Sequence, residues 1–281
     1  MKTKNAMQLK ARIKNHAKKL GVPPQLVMQN YLLERVMERI AISPWRDNIV
    51  VKGGMLISSL IGSDKRSTKD LDTTIRGFDL THENAEKAFR EIAATDADDD
   101  FDFEFVRTED IREIDEYPGI RVHLLANYEK ISSPVTIDVT TGDKITPDAI
   151  SYSYPLMLDG RSIELMVYPI ETVLAEKLET VLSRDVTNTR PRDYYDLHSL
   201  WHIWQEDIDT ATLKRALKNT AEKRNAMKAV GDYSAVMGRV AEDDSMFGQW
   251  GSYSRRYPYV GDLTLREACE DVIEIMSRIS W

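Results

Sequence analysis

The residues best suited to chemistry lie in Arg66-Ser67-Thr68-Lys69-Asp70-Leu71-Asp72. Alternate side chains of a strand share a face, so Asp70 and Asp72 project together while Leu71 packs on the other side. Two adjacent carboxylates repel unless a cation sits between them. A divalent metal is a natural occupant, because Mg²⁺ is a hard ion held by one or two carboxylates plus substrate phosphate oxygens. A third acid, Asp138, interrupts the β-branched run Val135-Thr136-Ile137-Asp138-Val139. If the two strands are neighbours, Asp138 completes a three-carboxylate cluster. An isolated Asp-x-Asp is more often a solvated strand end, so the surrounding residues decide.

Those residues point to phosphate. Lys52-Gly53-Gly54 leads from the apolar Ile49-Val50-Val51 into a helix, some 16 residues before Asp70. Glycines there let the backbone approach a ligand, and the free N–H groups of a helix start form an anion site. The pattern matches neither the P-loop nor the dinucleotide fingerprint. Joined to Arg66 and the acids, it predicts a phosphate cradle facing a metal site. Lys177 stands four residues from both Val173 and Val181, on the apolar stripe of its helix. A lysine so placed either snorkels to solvent or meets a negative partner, and triphosphate is such a partner.

Taken together, these residues resemble the AbiEii/AbiGii-type toxins of bacterial abortive-infection and toxin–antitoxin systems, within the DNA polymerase β-like nucleotidyltransferase superfamily. The resemblance runs through Lys52-Gly53-Gly54, Arg66-x-Thr68-x-Asp70-Leu71-Asp72, Ile137-Asp138-Val139 with Gly142-Asp143, Tyr168-Pro169-x-Glu171-Thr172-x-x-Ala175-Glu176-Lys177-Leu178, and Asn188-x-Arg190-x-Arg192-Asp193-Tyr194-Tyr195-Asp196-Leu197. Two departures are Gly53-Gly54, where the superfamily has Gly-Ser, and Arg192, where a lysine is usual. The resemblance implies Asp70, Asp72, Lys177 and Asp193 as catalytic residues and Asp70, Asp72 and Asp138 as ligands of two Mg²⁺ ions. It implies a nucleotide grip from Lys52, Gly53, Gly54, Arg66, Thr68 and Lys177. The expected reaction moves NMP from an NTP to an RNA acceptor, tRNA by analogy with related toxins, and arrests growth. A separately encoded antitoxin is expected, one that need not touch the toxin. Transfer to a protein or small molecule, or a non-catalytic nucleotide- or RNA-binding regulator, are the alternative readings.

The elements that must position these residues follow from periodicity. Leu9, Ile13, Ala17 and Leu20 mark a first helix, stopped by Gly21 and followed by Pro23-Pro24 and a second helix to Ser43. From Asn48 to Val167 short strands predominate, five or six in number, with a short helix from Met55 to Ile61 and another opened by Thr81. After Pro169 the pattern predicts helices over 170–182, 192–204, 211–228 and 264–279, the last opened by the capping box Thr264-x-x-Glu267, with an aromatic loop over 229–263. The expected fold is α/β (α+β): basic helices over 1–45, a mixed-sheet nucleotidyltransferase core over 46–168, and a helical domain over 169–281 that contributes to the active site. His198 and His202 are spaced i, i+4 but lack the glutamate of a zincin, so packed or surface histidines are expected.

With 281 residues, 42% apolar and 30% charged, the chain is of ordinary globular composition. A lone Cys269 excludes an internal disulfide, and no apolar run is long enough to span a bilayer, so a cytoplasmic protein without membrane contact is expected. The formal charge of −8 at first argues against nucleic acid. Its source is local: from Asp96 to Glu116 eleven acids face two bases, a net of −9. Residues 1–45 carry nine Lys/Arg against Glu34 and Glu38, and 214–228 carry six against Glu222. Those two basic segments are where an RNA backbone would be tracked.

Overall fold

Local signals set the first two helices, α1 (Ala6–Leu20) and α2 (Pro24–Ile42). Asn5 caps α1 by accepting from the Gln8 N–H, and Gly21 ends it in the left-handed region at φ +67°. Pro24, lacking an N–H to lose, opens α2. The computed structural model describes residues 2–62, 66, 68, 70–111 and 119–281, so Ser67 and Lys69 of the acidic motif lie outside the described residues. Contacts divide the chain into two units. One comprises Met1–Ser59, Ser67–Asp143 and Ile150–Val167, and the other Leu60–Arg66, Lys144–Ala149 and Tyr168–Trp281.

After α1 and α2, the first unit holds β1 (Ile49–Lys52), most of α3 (Gly53–Ile61), β2 (Leu71–Ile75), α4 (His82–Ala94), β3 (Asp102–Ile111), β4 (Gly119–Tyr128), β5 (Ile131–Thr141), β6 (Ile150–Pro155) and β7 (Ser162–Val167). The strands form one mixed sheet in the order β3-β4-β5-β2-β1-β7-β6. Pairs β2/β5 and β1/β7 are parallel and the rest antiparallel. Among the described residues seven strands form where five or six were expected, because β6 lies at the sheet edge and, of its six residues, buries only Tyr154. Its alternation is too faint to register in the sequence.

One face of the sheet is built by alternation. Phe103 and Phe105 of β3, Val122 and Leu124 of β4, and Val135, Ile137 and Val139 of β5 are buried, with α4 packed against β3 and β4 and α2 against β5 and β7. Between Phe105 and Arg107 the register slips by a β-bulge, which leaves Val106 exposed. The second helix is buried almost all round from Tyr31 to Ile40, charges included. Arg39 forks onto Asp99 at 2.6 and 3.0 Å, Arg35 donates to Glu38, and Glu34 accepts from the Met157 N–H. Burial pushes the Glu34 carboxyl up to about 8 against the pull of Arg35. Part of the basic N-terminal segment is therefore internal, paired with acids that include a member of the Asp96–Glu116 cluster.

The second unit is helical: α5 (Ile170–Arg184), α6 (Arg192–Trp204), α7 (Thr210–Lys223), α8 (Met227–Gly231), α9 (Tyr233–Val240), α10 (Asp244–Arg256) and α11 (Leu265–Arg278). Helix α5 packs on α6, α7 and α8, while α11 packs on α6 and α9. The capping box at Thr264 and Glu267 forms as predicted. The region 229–263 is not a loop. Asp243 caps α10 through the Met246 N–H, and Met246, Trp250 and Tyr253, spaced by four and three, bury its one apolar stripe. Glycines at 248 and 251 and the serines at 245, 252 and 254 disguise that helix in the sequence.

Candidate active site

Register assembles the acidic site in the first unit. The antiparallel β1/β2 pair sets Lys52 opposite Asp72, and the parallel β2/β5 pair sets Asp72 opposite Asp138. Antiparallel β4/β5 then sets Arg121 opposite Asp138. Laterally paired residues share a face of a sheet, so four adjacent strands present a row of charges, plus, minus, minus, plus, on the side opposite the buried valines and isoleucines. Asp70 immediately precedes β2 and is exposed, and the Thr68 hydroxyl donates to the Asp70 carbonyl at 3.3 Å.

Each end of the row is held by a network. Arg121 forks onto Asp138, Nε to Oδ1 at 2.7 Å and Nη2 to Oδ2 at 2.8 Å. Its guanidinium is held firmly protonated, chiefly by that hydrogen bond and then by the charges of Asp138, Asp70 and Glu109. Sequence reasoning missed Arg121, although Ile120, Val122 and Leu124 alternate around it and place it on the same face as Asp138. Lys52 donates to Asp143 at 2.6 Å and to Thr140 at 2.8 Å, and Thr74 also donates to Asp143.

The glycine turn is shaped around Asp72. Gly53 sits at φ +64°, and a Cβ built on it would lie 2.0 Å from Asp72 Oδ2. The Gly54 N–H points at the same oxygen across 3.4 Å. A side chain at 53 would therefore clash with the carboxylate and strain the backbone. Glycine is required at 53 because the first turn of α3 and the start of β2 approach too closely for a Cβ. The donor set of Asp70, Asp72 and Asp138 is all carboxylate oxygen, with one exposed member and Arg121 balancing another. That chemistry fits a hard divalent cation.

The second unit carries a separate buried network. Arg66 donates to Asp196 from Nε at 2.8 Å and Nη2 at 3.2 Å, and Lys177 Nζ lies 2.8 Å from Asp196 Oδ2 while also bonding Asp193. Arg66 and Asp193 are about 5% exposed, Asp196 is fully enclosed, and Lys177 retains 17%. Burial opposes the Asp196 charge, yet Arg66 and then Lys177 outweigh it and hold the carboxyl down at about 2. For Lys177 burial favours the neutral amine, but Asp193 and Asp196 prevail and its pKa rises. Asp193 Oδ2 is buried without a hydrogen-bond partner among the described residues. Asp193 and Lys177 are thus brought together, and Asp196 is the residue that joins them to Arg66. The i, i+3 spacing of Asp193 and Asp196 at the start of α6 was the sequence signal for that pairing.

Comparison with known proteins places the chain in a family. Residues 35–273 match the family described as "Nucleotidyl transferase AbiEii toxin, Type IV TA system". Among solved structures, MenT4, a nucleotidyltransferase toxin of Mycobacterium tuberculosis H37Rv, is 15% identical, covers 96% of this chain and 98% of its own, and superposes with a TM-score of 0.56. JHP933 from Helicobacter pylori is also 15% identical, with 91% of each chain covered and a TM-score of 0.50. At such identities the structural likeness speaks to the fold. No curated protein matches the chain in sequence. The fold is that of a nucleotidyltransferase with a mixed sheet. The chain belongs to the AbiEii family of type IV toxin–antitoxin nucleotidyltransferase toxins, a family that uses an NTP and a divalent metal and is paired with an antitoxin. Among the described residues no helix is long and apolar enough to cross a membrane.

Proposed function

We propose that the protein is a Mg²⁺-dependent toxin that transfers NMP from an NTP to an RNA acceptor, tRNA foremost, and so arrests growth. The observation that carries the reading is the register of Asp72 against Asp138 beside a glycine turn that only Gly53 fits. Asp70, Asp72 and Asp138 would hold two Mg²⁺ ions, which when bound lower the pKa of an acceptor hydroxyl and neutralise charge on the departing pyrophosphate. Lys52 and the N–H groups of Gly53 and Gly54 bind phosphate oxygens, and the Thr68 hydroxyl shapes the segment leading to Asp70. Lys177 binds the triphosphate; of the buried cations it is the more exposed. Arg66 and Asp196 position its ammonium, and Asp193, with one oxygen left over, accepts a hydrogen bond from substrate.

Two basic surfaces support an RNA acceptor. Lys10, Arg12, Lys14, Lys18 and Lys19 are exposed on α1, and Lys214, Arg215 and Lys218 on α7. Arg224, by contrast, bonds Glu179 at 2.6 Å, so only part of the 214–228 segment is available to phosphate.

The test is label transfer from α-labelled NTP to fractionated cell components, with Asp70→Asn as the comparison and circular dichroism to verify folding. The expected result is labelled RNA with wild type and none with the variant. Equal labelling by the variant overturns the mechanism, and label appearing in protein or small molecules overturns the acceptor. RNA binding should also weaken steeply with salt, as counterion release from several phosphate contacts requires.

A further inference from the structure

Outside the residues assigned to nucleotide chemistry, one cluster in the helical unit has the composition of a transition-metal site. His198 and His202 stand one turn apart on α6, their ring centroids 4.4 Å apart. Asp271 of α11 faces both. His198 Nδ1 lies 2.6 Å from Asp271 Oδ2, and His202 Nε2 lies 2.9 Å from Asp271 Oδ1. The ligand atoms of all three fall within 4.8 Å of one another. Three side chains from two helices therefore aim at one point.

We infer that His198, His202 and Asp271 form a binding site for one Zn²⁺-like divalent transition ion that fastens α6 to α11. Two imidazole nitrogens and one carboxylate oxygen suit Zn²⁺, Co²⁺ or Ni²⁺, whereas Mg²⁺ favours all-oxygen sets such as Asp70, Asp72 and Asp138. Helical histidines at i, i+4 present both rings on one face, which is the geometry of a two-histidine chelate. Asp271 leaves only a tenth of its side chain exposed, while His198 and His202 are 29% and 49% exposed. An ion can thus enter from solvent and keep water on its remaining position.

Without metal, each ring N–H donates to its own oxygen of Asp271. At metal–ligand distances of about 2.0–2.1 Å, tetrahedral ligands stand about 3.3 Å apart, so the histidine nitrogens, 2.6 and 2.9 Å from their Asp271 oxygens, need to draw back from the carboxylate by only roughly half an ångström. To bind the ion, each histidine presents the lone pair of that nitrogen and carries its N–H on the other ring nitrogen. The consequence reaches Asp193 and Asp196, which lie in the first turns of the same helix α6. A metal clamp at its middle stiffens the element that carries them.

The experiment uses untagged full-length protein stripped with a chelator and titrated with Zn²⁺ alone or Co²⁺ alone. Calorimetry, the visible absorption of bound Co²⁺ and the unfolding midpoint are the readouts. Wild type should take up one equivalent, show Co²⁺ bands of low-symmetry coordination, and unfold at a temperature that climbs with the logarithm of free metal. His202→Ala, at a half-exposed position, should keep the wild-type circular dichroism yet lose at least tenfold in affinity and the metal-dependent rise. Asp72→Asn should keep both. Absence of saturable binding by wild type, equal binding by His202→Ala, or loss of the equivalent in Asp72→Asn each overturns the assignment.

Discussion

Replacing Asp196 by asparagine preserves shape and removes one charge from the Arg66–Asp196–Lys177–Asp193 network. The carboxyl is held down from an ordinary 3.8 to about 2, which corresponds to stabilisation of roughly 2–3 kcal/mol. Breaking a buried ion pair on one side costs about 3–5 kcal/mol, because the remaining charge is left without its partner. Lys177 keeps Asp193, so the expected loss is at the lower end, about 3 kcal/mol. That is a large share of a stability of about 5–15 kcal/mol, yet leaves the variant folded. Because the folded value lies below the ordinary one, the contribution is complete above pH 3.8 and fades as pH falls through about 2. Urea unfolding at neutral pH and through that acidic window is the assay, with the slope m required to stay constant. Removing Arg66 as well, in Arg66→Met/Asp196→Asn, should restore part of the loss. A single-variant loss under about 1 kcal/mol, or a gap between wild type and variant that does not narrow in acid, refutes the network as described.

Gly53→Ala should cost about 1–2 kcal/mol from its left-handed backbone alone, and displacing the Asp72 carboxylate should lower nucleotidyl transfer at least tenfold; unchanged kcat would argue against the turn's role. Arg121→Gln releases Asp138 from its fork, so the divalent-metal concentration for half-maximal activity should fall, as a metal titration would show. Thr264→Ala removes the capping box of α11 and should destabilise by about 1 kcal/mol without altering transfer, read from the unfolding midpoint and a label assay.

Local rules were enough for the caps, the alternating strands and the three acids, since Leu71-Asp72 and Ile137-Asp138-Val139 carry their own two-residue period. What they could not convey were partners distant in sequence. Arg66 meets Asp196 across 130 positions and Arg121 meets Asp138 across 17. No periodicity encodes such pairings, which is why Lys52 also emerged bonded to Asp143 and Thr140. Helix α10 escaped notice for another reason: its glycines and serines lower intrinsic helicity, and tertiary burial of Trp250 and Tyr253 compensates. The histidines of α6 read as packed or surface residues because Asp271, which faces both, lies 69 and 73 residues away.

The edge strand β3 brings the acidic cluster into a different light. An edge offers unpaired backbone N–H and C=O groups to any chain that can add a strand, and open edges invite aggregation. On β3 that hazard is met by exposed Asp102 and Glu104 and by the bulge that twists Val106 out of register. The charges of Asp102 and Glu104 guard this edge against strand addition, a role separate from catalysis. Neutralising Asp102 and Glu104 should leave the unfolding midpoint nearly unchanged while lowering the concentration at which the protein self-associates.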